Sequence, residues 1–502
     1  MTSPLTTNLQ ASYTRYKIRN PKSYAAHQEA IKHLPGGNTR SSIFSTPFPL
    51  TFTSGHKATL TSLDGDTYTD FLGEYSAGLF GHSNERISNA VSAAMAGGWN
   101  FGGISVHESA FAERVCDRFR EAGMEMVRFT NSGTEANTMA IATALAFVNT
   151  RNDKDGNDET RKTITKSKIL VFSNAYHGAT LTFLITLVAD ADGGDDDGGG
   201  GKVVSGGTAS PAATNLPHDF VIAPYNNIDE TRAIVNSLHP RSSLAAILFE
   251  PMQGAGGCRT ATKEFARFLR QVADEHSALL IADEVMTSRL APAGLCVGLF
   301  GITPDIMTLG KWVGGGMSFG AFGGRREIME LYLPADPGER KGKGRLSHAG
   351  TFNNNILTMV AGFEALGIYT KERVGVLNRL GDRLRKGIWT LLADRRIISK
   401  HLSQGGEAGE AYGIVEVDTF DRERQGKEAK ALPRMFVSGH GSLINVRFTG
   451  FEAKVWQALF YHHMLDEHIY LAMRGYMALT IETTEDDVDR LIRKTQDCET
   501  EI

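Results

Sequence analysis

Two short apolar runs that end abruptly on a charge constrain this chain more than any other feature of its sequence. Leu279-Leu280-Ile281-Ala282 runs directly into Asp283-Glu284-Val285, and Ile306-Met307-Thr308-Leu309 runs into Gly310-Lys311 ahead of Gly314-Gly315-Gly316. Runs this short and this apolar read as strands buried on both faces. Three similar runs precede them: Lys168 to Phe172, Phe220 to Ala223 and Ala245 to Phe249. The intervals between runs leave room for helices. Strands alternating with helices at this spacing predict an α/β fold, a mostly parallel sheet with helices on both faces. Ligands of such a sheet gather at the carboxyl ends of its strands, where Asp283 and Lys311 are expected to stand.

The 502 residues are enough for two or three domains. Residues 1–75 read as an N-terminal segment: a lead-in helix, the turn Leu34-Pro35-Gly36-Gly37, and a hairpin around Asp64-Gly65. Residues 76–345 are expected to form the large domain, and residues 346–502 a smaller α+β C-terminal domain with a strand from Ser442 to Phe448. Three polar stretches, Thr150 to Lys166, Ala189 to Ser210 and Ser403 to Pro433, bury little apolar surface and read as mobile surface loops. The run Asp195-Asp196-Asp197 in the second is expected to be a solvated acidic loop, with no metal bound there or elsewhere.

Charge and cysteine content remove several classes of function. Fifty-three Lys and Arg against 57 Asp and Glu leave a net charge of -4, which gives no general pull toward nucleic acid or an anionic membrane. Cys116, Cys258, Cys296 and Cys498 are far apart and form no CxxC pair. A reducing, cytoplasmic setting is therefore expected, rather than a disulfide framework or a zinc site. Met1 to Lys17 lacks the apolar core of a signal peptide, and no apolar run approaches the ~18 residues of a membrane span.

A lysine placed after an apolar strand and before a glycine cluster is not a surface lysine. Partly desolvated, its pKa falls and its amine is freed as a nucleophile and general base. A lysine and a carboxylate at neighbouring strand ends are what pyridoxal phosphate requires. Lys311 bonds to the cofactor aldehyde, and Asp283 keeps the ring nitrogen protonated so that the ring draws electrons. The run Asn131-Ser132-Gly133-Thr134-Glu135-Ala136-Asn137 follows Val127-Arg128-Phe129 and reads as a strand end opening into a helix. There Ser132, Gly133 and Thr134 offer N–H groups and hydroxyls to a phosphate. Tyr176, in Tyr176-His177-Gly178, is placed to stack on one ring face and Val285 to pack on the other. His177 reads as a structural hydrogen-bonder, with Glu250 and Glu284 as supporting groups. Thr351, in Gly350-Thr351-Phe352, offers a further hydroxyl to a phosphate.

In their order and spacing these motifs resemble the class III aminotransferases, fold-type I pyridoxal phosphate enzymes that include glutamate-1-semialdehyde aminomutase. The resemblance runs from about Leu34 to Asp489. A narrower likeness, to β-amino-acid aminotransferases of the β-phenylalanine type, rests on several stretches. These are Leu34 to Ser41, Glu74 to Gly78, Glu250 to Ala255, Asp283 to Pro292, Gly314 to Gly324 and Thr351 to Asn355. It implies transfer of the amino group of a 3-aryl or 3-alkyl β-amino acid to a keto acid such as 2-oxoglutarate or pyruvate. It also implies that Arg40 binds the donor carboxylate and that Arg474 is a second carboxylate or acceptor contact. A planar guanidinium suits both tasks because it grips a carboxylate with two parallel hydrogen bonds. By the same resemblance Thr351 reaches the cofactor phosphate of a neighbouring subunit, in a homodimer. The alternatives are the aminomutase and a broad ω-aminotransferase. Met286 after Asp-Glu-Val is shared with the aminomutase branch, whereas Ala255 and the Asn38-Thr39-Arg40-Ser41 start depart from it.

Overall fold

A computed structural model describes residues 3–154, 165–181, 218–239, 243–334, 346–398, 435–449 and 452–501. Its first strands are β1 (Phe52–His56), β2 (Thr59–Ser62), β3 (Thr67–Asp70), β4 (Met126–Thr130), β5 (Lys168–Phe172), β6 (Asp219–Ala223), β7 (Leu244–Phe249), β8 (Met252–Gln253) and β9 (Arg259–Thr260). There follow β10 (Leu279–Asp283), β11 (Ile306–Gly310), β12 (Gly320–Gly324), β13 (Met435–His440), β14 (Leu443–Phe448), β15 (Ile469–Tyr470) and β16 (Tyr476–Ala478).

Seven of these build one mixed sheet in the order β4-β12-β11-β10-β7-β5-β6. Only β12 runs against its neighbours, and β11, β10, β7, β5 and β6 are parallel. The five apolar runs are thus strands of one sheet, and their two-residue period sorts side chains between its faces. Leu170, Phe172, Ile247, Phe249 and Leu280 join Phe265, Leu269 and Val272 of the helix Lys263–Glu275. Ile169, Val171, Leu248, Ile281 and Ile306 point the other way, onto Ala136, Ala140, Ile141 and Ala144 of the helix Gly133–Lys154. Alanine at successive turns lets that helix lie close to the sheet, which brings its first turn to the strand ends.

The hairpin at Asp64-Gly65 is present as β2 and β3, paired antiparallel. Its far edge is completed in parallel by β15, so the N-terminal strands share a sheet with the C-terminal region. A further antiparallel sheet, β13-β14-β16, holds the C-terminal strand read from the sequence. Among the described residues, no helix is long and apolar enough to cross a membrane.

Two expectations are corrected. The single lead-in helix is two, Pro4–Arg19 and Pro21–Ala30, because Pro21 forces Asn20 out of helical geometry (φ -120°, ψ 55°). The polar stretch from Thr150 is not wholly a surface loop either. Thr150–Lys154 closes a helix, and Lys166 is buried with Nζ donating to the carbonyls of His276 and Ser277 at 2.7 and 2.8 Å. Those carbonyls follow the end of the helix Lys263–Glu275, where a cation meets the negative end of the helix dipole. The intervening residues 155–164 and the stretches 189–210 and 403–433 lie outside the described residues.

Phe265 is fully buried where the helix Lys263–Glu275 meets β5 and the ring of Tyr225. Phe265→Ala is expected to cost about 3–5 kcal/mol, read as a lowered urea midpoint with an unchanged slope.

Candidate active site

Asp283 ends β10 and its carboxylate is buried beside three donors. Oδ2 accepts from Asn137 Nδ2 at 2.8 Å and lies 2.7 Å from His177 Nδ1, and Oδ1 accepts the N–H of Val285 at 3.0 Å. Asn137 is itself held on both sides. Its Nδ2 also donates to the His177 carbonyl at 3.0 Å, and its Oδ1 accepts from Thr308 Oγ1 at 2.7 Å. Thr308 is the residue of β11 that pairs with Asp283. One amide therefore ties the helix Gly133–Lys154, the loop after β5 and the two strand ends together. A carboxylate offers about four lone-pair positions, so one remains for an N–H of a ligand.

Lys311 follows β11 directly and takes a left-handed backbone, φ 53°. Its Nζ donates to the Tyr75 carbonyl at 2.9 Å. Burial is the main force on its amine and lowers the pKa to about 8; Asp283 and Glu250 oppose this, while Arg474 and Arg40 add to it. Near pH 8 the amine is thus divided between its charged and neutral forms.

Ser132 caps the helix Gly133–Lys154, its Oγ accepting the N–H of Glu135 at 3.1 Å. The N–H groups of Gly133 and Thr134 open that helix and have no carbonyl partner within it. Close approaches fix this helix start in place. A Cβ at Gly178 (φ 124°) would stand 2.2 Å from Thr134 Oγ1, and one at Gly320 would stand 2.1 Å from the Ser132 carbonyl oxygen. Val285 packs against Gly133 and Gly310, where added Cβ atoms would meet it at 2.9 and 3.0 Å. Tyr176 is 43% exposed and its N–H donates to Glu250 Oε1 at 2.9 Å. Glu250 Oε2 accepts from the N–H of Gly254 at 2.9 Å, and burial pushes this carboxyl up from its usual range. Glu284 turns to other partners, Thr287 and the N–H of Cys296, and burial raises it to about 7.

The two arginines converge on one ring. Arg40 lies 5.7 Å and Arg474 5.1 Å from the centroid of Tyr75, whose carbonyl receives Lys311. Arg40 is ion-paired with Glu74, whereas Arg474 has no ion pair among the described residues. Burial raises the Tyr176 hydroxyl above its ordinary value; Arg474 and Arg40 oppose this, and Asp283 and Glu250 add to it. Thr351 is exposed and forms no hydrogen bond among the described residues. Its neighbour Asn353 is tied to Asn131 at 3.0 Å, and Asn354 to Glu108 at 3.0 Å.

The donor set fits pyridoxal phosphate. It combines a helix start with two hydroxyl residues for a phosphate, a buried carboxylate with a spare lone pair for a ring nitrogen, and a buried amine for an aldehyde. The fold brings Ser132, Gly133, Thr134, Val285, Asp283 and Lys311 to one end of the sheet, with Tyr176, Arg40 and Arg474 beside them. Sequence reasoning gave no role to Tyr75, Asn137 or Thr308. The last two carry a usable signal, because each sits in a quoted motif with the period that faces the site.

The family model described as "Aminotransferase class-III" matches residues 42–405. The β-phenylalanine transaminase of Variovorax paradoxus is 37% identical over 496 residues, 96% of this chain and 94% of that protein. A glutamate-1-semialdehyde 2,1-aminomutase of Lysinibacillus sphaericus is 33% identical over 369 residues, 73% of this chain and 77% of that one. The solved structure of a β-phenylalanine aminotransferase from Variovorax paradoxus superposes with a TM-score of 0.78 at 36% identity, covering 98% of this chain and 97% of that one.

Asn137→Ala removes a donor to Asp283 and the acceptor of Thr308. It is expected to weaken pyridoxal phosphate binding by about 10- to 100-fold, measured by titrating the cofactor into the stripped protein. Unchanged affinity would show that Asp283 is held without this amide.

Proposed function

Because this chain belongs to the class-III aminotransferases, which use pyridoxal phosphate to move amino groups, we propose that it carries the amino group of a β-amino acid to a keto acid. The observation that carries this reading is the pairing of a buried lysine amine with two arginines through the single residue Tyr75. Similarity to a β-phenylalanine transaminase over 96% of the chain supports the donor class. The products are a 3-oxo acid and the amino acid formed from the acceptor, 2-oxoglutarate or pyruvate.

Bound pyridoxal phosphate supplies an aldehyde that takes up the amino group and a ring that draws electrons from the neighbouring carbon. Every other task falls to side chains of this protein. Ser132, Gly133 and Thr134 hold the phosphate at the positive end of a helix. Tyr176 and Val285 confine the ring. Asp283, held in place by Asn137 and His177, would keep a proton on the ring nitrogen. Lys311, with its amine free, would take the proton from the carbon that bears nitrogen onto Nζ and later give it back. Arg474 receives a substrate carboxylate first, since it has no ion-pair partner to displace among the described residues, and Arg40 does so once it leaves Glu74.

Thr351 completes the phosphate contacts of a second copy in a homodimer. An exposed apolar strip beside its turn supports this assembly. Ile104 is 90% and Val106 77% exposed, and Asn354 ties the turn to Glu108 of the adjoining helix. A patch of this kind is buried when a second copy covers it.

The test is a single-turnover titration of the cofactor-loaded protein with 3-amino-3-phenylpropanoate, followed by 2-oxoglutarate. The visible band of the aldehyde form should fall with the donor and return with the keto acid. No change with this donor, together with conversion of glutamate-1-semialdehyde to 5-aminolevulinate, would move the protein to the aminomutases. Separately, Arg474→Ala should raise KM for carboxylate donors at least tenfold while leaving simple amines nearly unchanged, and Arg40→Ala should do so to a smaller degree. An equal loss for both donor types would make these arginines structural.

A further inference from the structure

Four consecutive residues, Gly73, Glu74, Tyr75 and Ser76, hold positive φ values of 52°, 48°, 51° and 76°. Only the first is glycine, so three L-residues carry the cost of a left-handed backbone. Such backbone persists only where its surroundings over-determine it, and it clusters at functional sites. The surroundings here are specific. Asp70 is buried, and its Oδ1 accepts the N–H groups of Leu72 and Gly73 at 2.8 and 3.1 Å. Its Oδ2 lies 3.0 Å from His82 Nε2. A side chain at position 73 would meet the Ala478 carbonyl oxygen at 2.4 Å. The Tyr75 hydroxyl donates to the Ser42 carbonyl, and its ring stacks on Tyr476 with centroids 5.4 Å apart. All this restraint aims one acceptor, the Tyr75 carbonyl, at Lys311 Nζ. Lys311 is itself left-handed, so two strained segments meet in a single hydrogen bond.

We propose that the Asp70–His82 pair positions Lys311, by folding the Gly73–Ser76 turn so that the Tyr75 carbonyl receives the lysine amine whenever that amine is free. The inference rests on the reading of Lys311 as the cofactor lysine. A hydrogen bond from an ammonium is stronger than one from a neutral amine, so the turn favours the protonated lysine and fixes its direction. It thereby acts with Asp283 and Glu250 and against burial, Arg474 and Arg40. Cys258 also faces this amine, but burial pushes its thiol up to about 12, so it stays neutral in the working range. Asp70 and His82 are positioning residues, since they reach the amine only through the backbone of the turn.

The test uses the holoenzyme loaded with pyridoxamine phosphate, a form that leaves Lys311 free. Acetylation of Lys311 by a trace of acetic anhydride is followed by peptide mass spectrometry from about pH 6 to 10. In the wild type the midpoint should lie below that of an ordinary lysine, in the direction burial pushes this amine. Asp70→Asn and His82→Ala should each lower it by about one pH unit, the size of one hydrogen bond to a charged group. His82→Gln, which retains a donor toward Asp70, should restore the wild-type midpoint. Unchanged midpoints in both Asp70→Asn and His82→Ala overturn the proposal, even if both variants melt earlier, because a purely structural pair would move melting alone. If Asp70→Asn does not fold, His82→Ala decides by the same criterion, since His82 is partly exposed at the surface. A separate arm loads the wild type with pyridoxal phosphate, which should protect Lys311. Failure of that protection removes the lysine assignment itself, independently of the variants.

Discussion

A carboxylate buried at the end of a central strand must be surrounded by donors, and in this protein the groups that satisfy Asp283 also assemble the site. Leaving such a charge without partners costs far more than any single contact in the region contributes. Asn137 comes from the helix Gly133–Lys154, His177 from the loop after β5, and the Val285 N–H from the next residue but one. Each donor brings its own segment with it. The helix start arrives with Asn137, the Tyr176 loop with His177, and β11 with Thr308 through the same amide.

Close packing then converts that convergence into a defined geometry. Where the loop after β5 crosses the helix start, Gly178 leaves no room for a side chain against Thr134. Gly320 plays the same part against Ser132, and it lies on β12, the one strand of the seven-stranded sheet that runs against its neighbours. These contacts bring the chain to distances that leave no space for a side chain at either glycine. The helix N-terminus is thereby held over the strand ends with its N–H groups facing the site, where they suit an anion.

The far side of the site is held by strain rather than by a regular element. The left-handed turn around Tyr75 belongs to the N-terminal segment, yet its carbonyl serves Lys311 and its ring lies beneath both arginines. One residue thus sets the separation between the amine and the groups that would grip a carboxylate.

The sequence by itself determined the strands and what stands at their ends. An apolar run of five residues has one good solution when it is flanked by helix-length intervals, and a charge placed after it must lie at the sheet's edge. The reach of β5, β7, β10 and β11, the capping by Ser132 and the neighbouring places of Asp283 and Lys311 were legible for that reason. The division of the N-terminal helix at Pro21 is also written in the sequence, in a proline that restricts the residue before it. Only the tertiary structure decided which distant groups share Asp283, that Glu284 turns away from it, that Lys166 closes a helix end, and that Tyr75 links lysine to arginine. Local periodicity reports which side of an element is buried. It carries no information about which of several buried polar groups, separated by more than a hundred residues, will satisfy one another, because that depends on the register and packing of the whole sheet.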